Sequence, residues 1–172
     1  LKGRRDKVIV ASKVYNKMGE GPDESGLSRA AIFKAIDASL ARLDTDYLDI
    51  YYLHQPDYQV PLEETLDAIE RLVEQGKIRQ PATSNYSAWQ LCRILWLCET
   101  NGWRPPLIAQ PMYNLLARSL EQEYLPCTRE FGISSFVYNP LAGGFLTGKQ
   151  RRDAGPMAGS RFDGNQIYLN RY

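Results

Sequence analysis

Apolar runs that stop on a polar residue recur five times along this chain, with stretches of helical spacing between them. The runs end at Lys13 in VIVASKV, His54 in DIYYLHQPD, Ser84 and Asn85 in ATSNY, Gln110 in LIAQPMYN, and Tyr138 in FVYNPLAGG. No two runs are adjacent in sequence. Strict alternation of this kind predicts a parallel sheet with right-handed crossovers. Such a sheet gathers all its carboxyl-terminal strand ends on one face, where α/β folds bind and react. The five polar stops are therefore predicted to converge on one site.

The segments between the runs support this reading. Residues 8–13 form the first expected strand, and the polar, glycine-rich 16–27 reads as a loop. Ser28 can cap a helix whose buried stripe is Ile32, Ile36, Leu40 and Leu43. A strand over 47–53 follows. Pro61 opens the next helix, with the stripe Leu62, Leu66, Ile69 and Val73, and Gly76 ends it. The third strand, 78–83, reads as weak because Pro81 removes a ladder donor. A helix over 87–101 is expected to bury Trp89, Trp96, Leu91, Leu95 and Cys98. A strand at 107–110, a helix near 119–131 and a strand at 133–138 complete the series. The tail from 148 reads as a long loop with a short helix near 165–171.

Two architectures share this pattern, an open doubly wound sheet and an arc of a (β/α)₈ barrel. A dinucleotide-binding open sheet calls for G-x-G-x-x-G after its first strand, and none is present. The barrel is favoured, and a whole barrel typically needs about 250 residues. The 172 residues are thus expected to form one domain, an incomplete barrel arc, with 148–172 as a loop on the cofactor side. The strands at the ends of such an arc have bare edges, which invite aggregation. The chain begins at Leu1 and reads as part of a longer one.

Composition narrows the class. A net charge of +1 argues against nucleic-acid and membrane partners. No apolar run approaches the ~20 residues of a membrane helix. Cys92, Cys98 and Cys127 lack metal-ligand spacing. An odd cysteine count without a secretory signal points to reduced thiols in the cytoplasm, and all three read as small buried hydrophobes. A homo-oligomer is compatible with everything above.

The stops differ in their chemistry. His54 is the only histidine. A neutral imidazole at a strand end can orient a carbonyl oxygen or relay a proton, or it can be a core histidine satisfied by backbone. Lys13 is either a partly desolvated ammonium that favours a neighbouring phenolate or a solvated lysine at a loop start. Ser84, Asn85 and Gln110 offer the neutral donors and acceptors that a carboxamide needs, or ordinary loop and cap chemistry. Tyr138 can stack on a flat heterocycle. It opens YNPLAGGFLTGK, whose glycines would let backbone amides approach a pyrophosphate. The cations Lys149, Arg151, Arg152 and Arg161 nearby suit phosphate. Gly143, Gly148 and Lys149 also match part of a triphosphate loop, but Gln150 stands where the magnesium-binding Ser or Thr belongs.

The segments ASK, YLHQPD, EETLDAIERLVEQGKIR, SNYSAWQL, QPMYNLL and YNPLAGGFLTGK, in this order and spacing, resemble the aldo-keto reductases. GSRFDGNQIYLNRY is most similar to the branch of aflatoxin-aldehyde reductases and potassium-channel β subunits. The resemblance implies a (β/α)₈ barrel covered here from about strand 3 to strand 7. It implies NADP(H) and hydride transfer to the carbonyl carbon of a small substrate. Lys13 and His54 match catalytic positions. Ser84, Asn85 and Gln110 match the carboxamide-binding residues, and Tyr138 matches the aromatic under the nicotinamide. Asn139, Pro140, Leu141 and Gly143 match pyrophosphate contacts, and Lys149 and Arg161 match adenosine-phosphate contacts. The family's D-T-A-x-x-Y-G motif, which carries the acid Tyr and its Asp, does not occur in residues 1–172. The 172 residues alone are therefore expected to bind cofactor poorly and to turn over nothing. A non-catalytic, cofactor-sensing subunit like the channel β subunits is the alternative reading.

Overall fold

A computed structural model describes residues 1–151 and 153–171. It contains one five-stranded sheet in the order β1 to β5, every neighbouring pair parallel. The strands are β1 (Ala11–Val14), β2 (Leu48–Leu53), β3 (Ile78–Ser84), β4 (Ile108–Gln110) and β5 (Ser134–Ser135). Helices alternate with them: α1 (Arg29–Leu43), α2 (Leu62–Glu74), α3 (Ala88–Asn101), α4 (Tyr124–Glu130) and, near the end, α5 (Gln166–Leu169). This is the α/β alternation expected of a barrel arc. The sheet is not closed: β1 and β5 are its edges.

Local chemistry explains the boundaries. The Ser28 hydroxyl accepts from the Ala31 amide and starts α1. At the start of α3 the Gln90 side-chain oxygen accepts from the Ser87 amide at 2.8 Å and from the Ser87 hydroxyl at 3.0 Å. Gly76 ends the α2 turn at φ +71°, a conformation that a Cβ would resist. The core lies between the sheet and the helices. Ile32 and Ile36 of α1, Leu66, Ile69 and Leu72 of α2, and Leu91 and Ile94 of α3 pack there against Val14, Tyr51, Leu53 and Ala109.

Four sequence expectations need correction. First, β3 is a full strand despite Pro81. The amides of Ile50 and His54 point to β1, so by alternation Tyr51 and Leu53 bond β3. The even-numbered residues of β3 then face β2, and Pro81 faces β4. There the ladder begins only at Thr83, so the missing donor lies outside it. Second, β5 spans two residues rather than 133–138, with an isolated bridge beyond it between Met112 and Tyr138. The carbonyls of Ala109 and Pro111 both face β5, where they accept from Phe136 and Tyr138. Pro111 has no N–H to return, and the ladder breaks.

Third, the expected helix over 119–131 divides into a 3₁₀ turn, Ser119–Glu121, and α4. Pro126 occupies the third position of α4. Its missing N–H is tolerated there because the first helical amides have no intrahelical acceptor anyway, so α4 cannot begin much earlier. Fourth, Trp89 and Trp96 are 61% and 63% exposed rather than buried. Two apolar stripes compete on α3. Packing selects the one with Leu91, Ile94 and Cys98 and turns the tryptophans outward.

The cysteines also depart from expectation. Cys98 is buried, but Cys92 is exposed. Its sulfur lies 3.7 Å from that of Cys127 on α4. Burial first, then the neighbouring thiol, pushes Cys127 up to about 11. Oxidation is therefore expected to begin at Cys92 and to close a Cys92–Cys127 disulfide around β4. Peptide mass mapping after mild peroxide treatment checks this. The expected product is one intramolecular crosslink with the Cys98 thiol retained, and a Cys92-linked dimer is the contrary result.

Candidate active site

The strand register places the polar stops on one face. Lys13 pairs with Tyr52 and Tyr52 with Ala82, while Ser84 pairs with Gln110. Val14, Leu53 and Ala109 point into the helix-covered core, so their alternate neighbours project from the opposite face. Lys13, Tyr52, Ser84 and Gln110 thus share that face, and His54 continues it beyond β2. Tyr51 points into the core and is fully buried, which removes it from the site.

A web of hydrogen bonds ties the strand ends together, and Asn85 is its centre. The Asn85 amide nitrogen donates to the His54 carbonyl at 2.8 Å and to the Ser84 hydroxyl at 3.1 Å. The Tyr138 hydroxyl donates to Asn85 Oδ1 at 2.8 Å. Ser84 donates to the Gln110 carbonyl at 2.7 Å. One short loop residue therefore joins the ends of β2, β3 and β5, and Ser84 extends the web to β4. Asn85 adopts φ +62°, which asparagine tolerates better than residues with larger side chains.

Electrostatics set the protonation states. Burial, then the charge of Lys13, holds His54 below its ordinary pKa. Both causes favour the neutral imidazole over the imidazolium. Burial also lowers Lys13, whose ammonium sits 5.0 Å from the Tyr52 ring centroid. Asn16 Nδ2 lies 3.2 Å from His54 Nδ1. Lys13, Asn16 and His54 line a cleft of about 500 Å³ that runs along the free edge of β1 beside α1.

The glycine-rich loop, Ala142–Thr147, is a pair of tight turns joined across a kink at Gly143 and Gly144, whose φ values are +69° and +105°. Asn139 organises it: its side-chain oxygen accepts from the Gly143 amide at 2.6 Å and its carbonyl from Ala142 at 2.9 Å. The Gly144 amide bonds the Leu141 carbonyl. These amides are directed into the turn, not outward as a phosphate cradle. Pro140 and Leu141 are exposed at its start. Gly143 is required by packing, since a Cβ there would sit 2.7 Å from the Tyr168 ring. Arg161 donates to the Tyr168 hydroxyl at 3.0 Å, and Phe162 packs edge-on between Phe145 and Tyr168. The tail is thus folded back on the glycine turn. Lys149 and Arg151 are exposed, and Arg152 lies outside the described residues. No helix follows Lys149 before α5, so the strand–loop–helix frame of a triphosphate site is missing among the described residues.

The chemistry of this donor set fits a planar carboxamide. Asn85 Oδ1 and Ser84 Oγ each keep a spare lone pair after the bonds above. No hydrogen bond engages the Gln110 side-chain amide among the described residues, and it shares a rung with Ser84. Sequence reading missed two residues here. Asn16 carries no sequence mark except a position three residues past Lys13. Asn114 is buried, donates to the Asn139 carbonyl at 3.1 Å and accepts from the Leu116 and Ala117 amides. An Asn two residues before a backbone turn was the available signal.

Comparison with known proteins extends this picture. A family model described as "Aldo/keto reductase family" matches residues 1–167. Human "Aldo-keto reductase family 7 member A3" is 44% identical over 142 residues, which cover 80% of this chain and 43% of that protein. Human "Aflatoxin B1 aldehyde reductase member 4" is 40% identical over 171 residues, covering 96% and 50%. An Arabidopsis thaliana "Probable voltage-gated potassium channel subunit beta" is 38% identical over 160 residues, covering 92% and 48%. The chain spans about half the length of the curated relatives it matches.

Proposed function

This chain belongs to the aldo/keto reductase family, and from that premise we propose that it carries the binding rim of an NADP(H)-dependent carbonyl reductase. The substrate class is a small aldehyde or ketone. The bound cofactor supplies the hydride. Ser84, Asn85 and Gln110 would hold its carboxamide, and Tyr138 would stack against its ring. Asn139, Pro140, Leu141 and Gly143, with Lys149 and Arg161, would take its phosphates. Because the turn's amides point inward, phosphate contact there falls on the basic side chains or requires the turn to open.

His54 would touch the substrate. A neutral imidazole donates one hydrogen bond without adding charge, which suits a carbonyl oxygen. Burial first, then the charge of Lys13, disfavours the imidazolium, and Lys13 would favour the ionised form of a tyrosine brought beside it. The single observation that carries the reading is the Asn85 web, which joins His54, Ser84 and Tyr138.

The test is binding first and turnover second. In the protein that contains this chain, NADPH titration followed by protein fluorescence is expected to saturate. In the protein that contains this chain, oxidation of NADPH by a simple aldehyde is expected, and His54→Ala should slow it by roughly 100-fold or more. The 172 residues by themselves, which hold no D-T-A-x-x-Y-G motif, are expected to oxidise none. Magnesium-dependent ATP binding with no response to NADPH would sink the proposal. Tight NADPH binding with negligible turnover would instead favour a cofactor-sensing role. The 38% identity to a channel β subunit is the observation behind that second reading.

A further inference from the structure

We propose that Asn16 is a positioning residue that fixes the tautomer of His54, leaving Nδ1 bare and the single imidazole proton on Nε2. The inference rests on the reading that His54 faces a carbonyl substrate, but the geometry behind it does not.

Both partners have anchored backbones. The His54 amide donates to the Val14 carbonyl at 3.0 Å, which seats the imidazole at the end of β2 beside β1. Tyr15 adopts φ +145°, and its carbonyl accepts from the Gly26 amide at 2.8 Å. The next turn is closed by Met18 donating to the Glu24 carbonyl at 2.9 Å. This bend carries Asn16 from the end of β1 back across the end of β2. There its amide nitrogen, a donor with no acceptor capacity, lies 3.2 Å from Nδ1.

A donor facing Nδ1 leaves no place for a proton on that nitrogen. The surroundings agree: burial first, then Lys13 on the adjacent strand, disfavours the imidazolium. Tyr52, on the same strand as His54, and Asn85, which bonds the His54 carbonyl, are neutral. A neutral ring has one N–H. If Asn16 donates to Nδ1, that N–H must be on Nε2. The ring then presents a donor to the cleft, which selects a ligand atom with a lone pair, such as a carbonyl oxygen, over one bearing a proton.

His54 is the sole histidine of the 172 residues. In the protein that contains this chain, ¹⁵N-histidine labelling compared with a His54→Gln variant assigns its pair of ring-nitrogen signals. The wild-type spectrum at neutral pH is expected to show an unprotonated Nδ1 and a protonated Nε2. Asn16→Asp keeps the side-chain shape and replaces the donor by an anionic acceptor. It is expected to move the proton to Nδ1 and to raise the His54 titration midpoint by about one unit or more. Asn16→Gln, which keeps the donor on a longer arm, is expected to restore the Nε2–H pattern at least in part. A wild-type ring protonated at Nδ1, or an Asn16→Asp spectrum identical to wild type, overturns the proposal. Circular dichroism of each variant confirms that the fold is retained.

Turnover separates this inference from the one beneath it. If the protein containing this chain reduces carbonyls, Asn16→Asp should lower kcat by about 10-fold or more and shift the pH profile with the NMR midpoint. A normal kcat and profile in a variant whose tautomer has switched would refute the link between tautomer and catalysis. If no carbonyl is reduced but the wild-type ring is Nε2–H, the proposed function falls and the tautomer assignment stands.

Discussion

Asn85→Ala is expected to weaken NADPH binding by roughly 100-fold and to cost about 2.5 kcal/mol of stability. The substitution removes three hydrogen bonds at once, to the His54 carbonyl, the Ser84 hydroxyl and the Tyr138 hydroxyl. Each is worth about 0.5–1.5 kcal/mol, with the lower end appropriate to a rim residue. The φ of +62° adds a further ~1 kcal/mol for an alanine forced into the left-handed region. Asn85→Gly separates these contributions, because glycine accepts that φ without strain but cannot rebuild the web. Calorimetric titration of NADPH into both variants is the measurement. If Asn85→Gly binds as tightly as wild type, the amide has no part in holding the cofactor.

Leu72→Ala is expected to destabilise the chain by about 2–5 kcal/mol, which is the range for a buried leucine that leaves a cavity. Leu72 is fully buried on α2, in the cluster shared with β2, β3, α1 and α3. An arc with two free sheet edges has less core to share that loss than a closed barrel. Denaturant melts followed by circular dichroism measure it. An exposed control such as Trp96→Ala should change the midpoint little, even though it removes a larger side chain. Equal losses from the two would show that the outward face of α3 is covered in solution.

The site was legible in the sequence to an unequal degree. The shared face of Lys13, His54, Ser84 and Gln110 follows from parallel alternation, because strand ends and side-chain parity are local properties. The link between Tyr138 and Asn85 spans 53 residues, and no local pattern predicts a contact across that separation. The partnership of Asn16 with His54 depends on a positive φ at Tyr15 and a loop closed through Gly26. The glycine turn shows the same limit. Its composition indicated conformational freedom but not that Asn139 would draw the amides inward.

Sequence by itself determined the order of strands and helices, their parallel pairing and the face on which the polar residues collect. Those features arise from periodicity and capping, which act over a few neighbouring residues, and from the handedness of crossovers, which acts within single β-α-β units. Tertiary packing alone decided which of two apolar stripes on α3 went inside. It also decided where Pro111 cut the β4–β5 ladder, and that Cys92 and Cys127 would meet across two helices. Each of these outcomes turns on competition between contacts distant in the chain, and burial selects the winner only after the sheet is assembled.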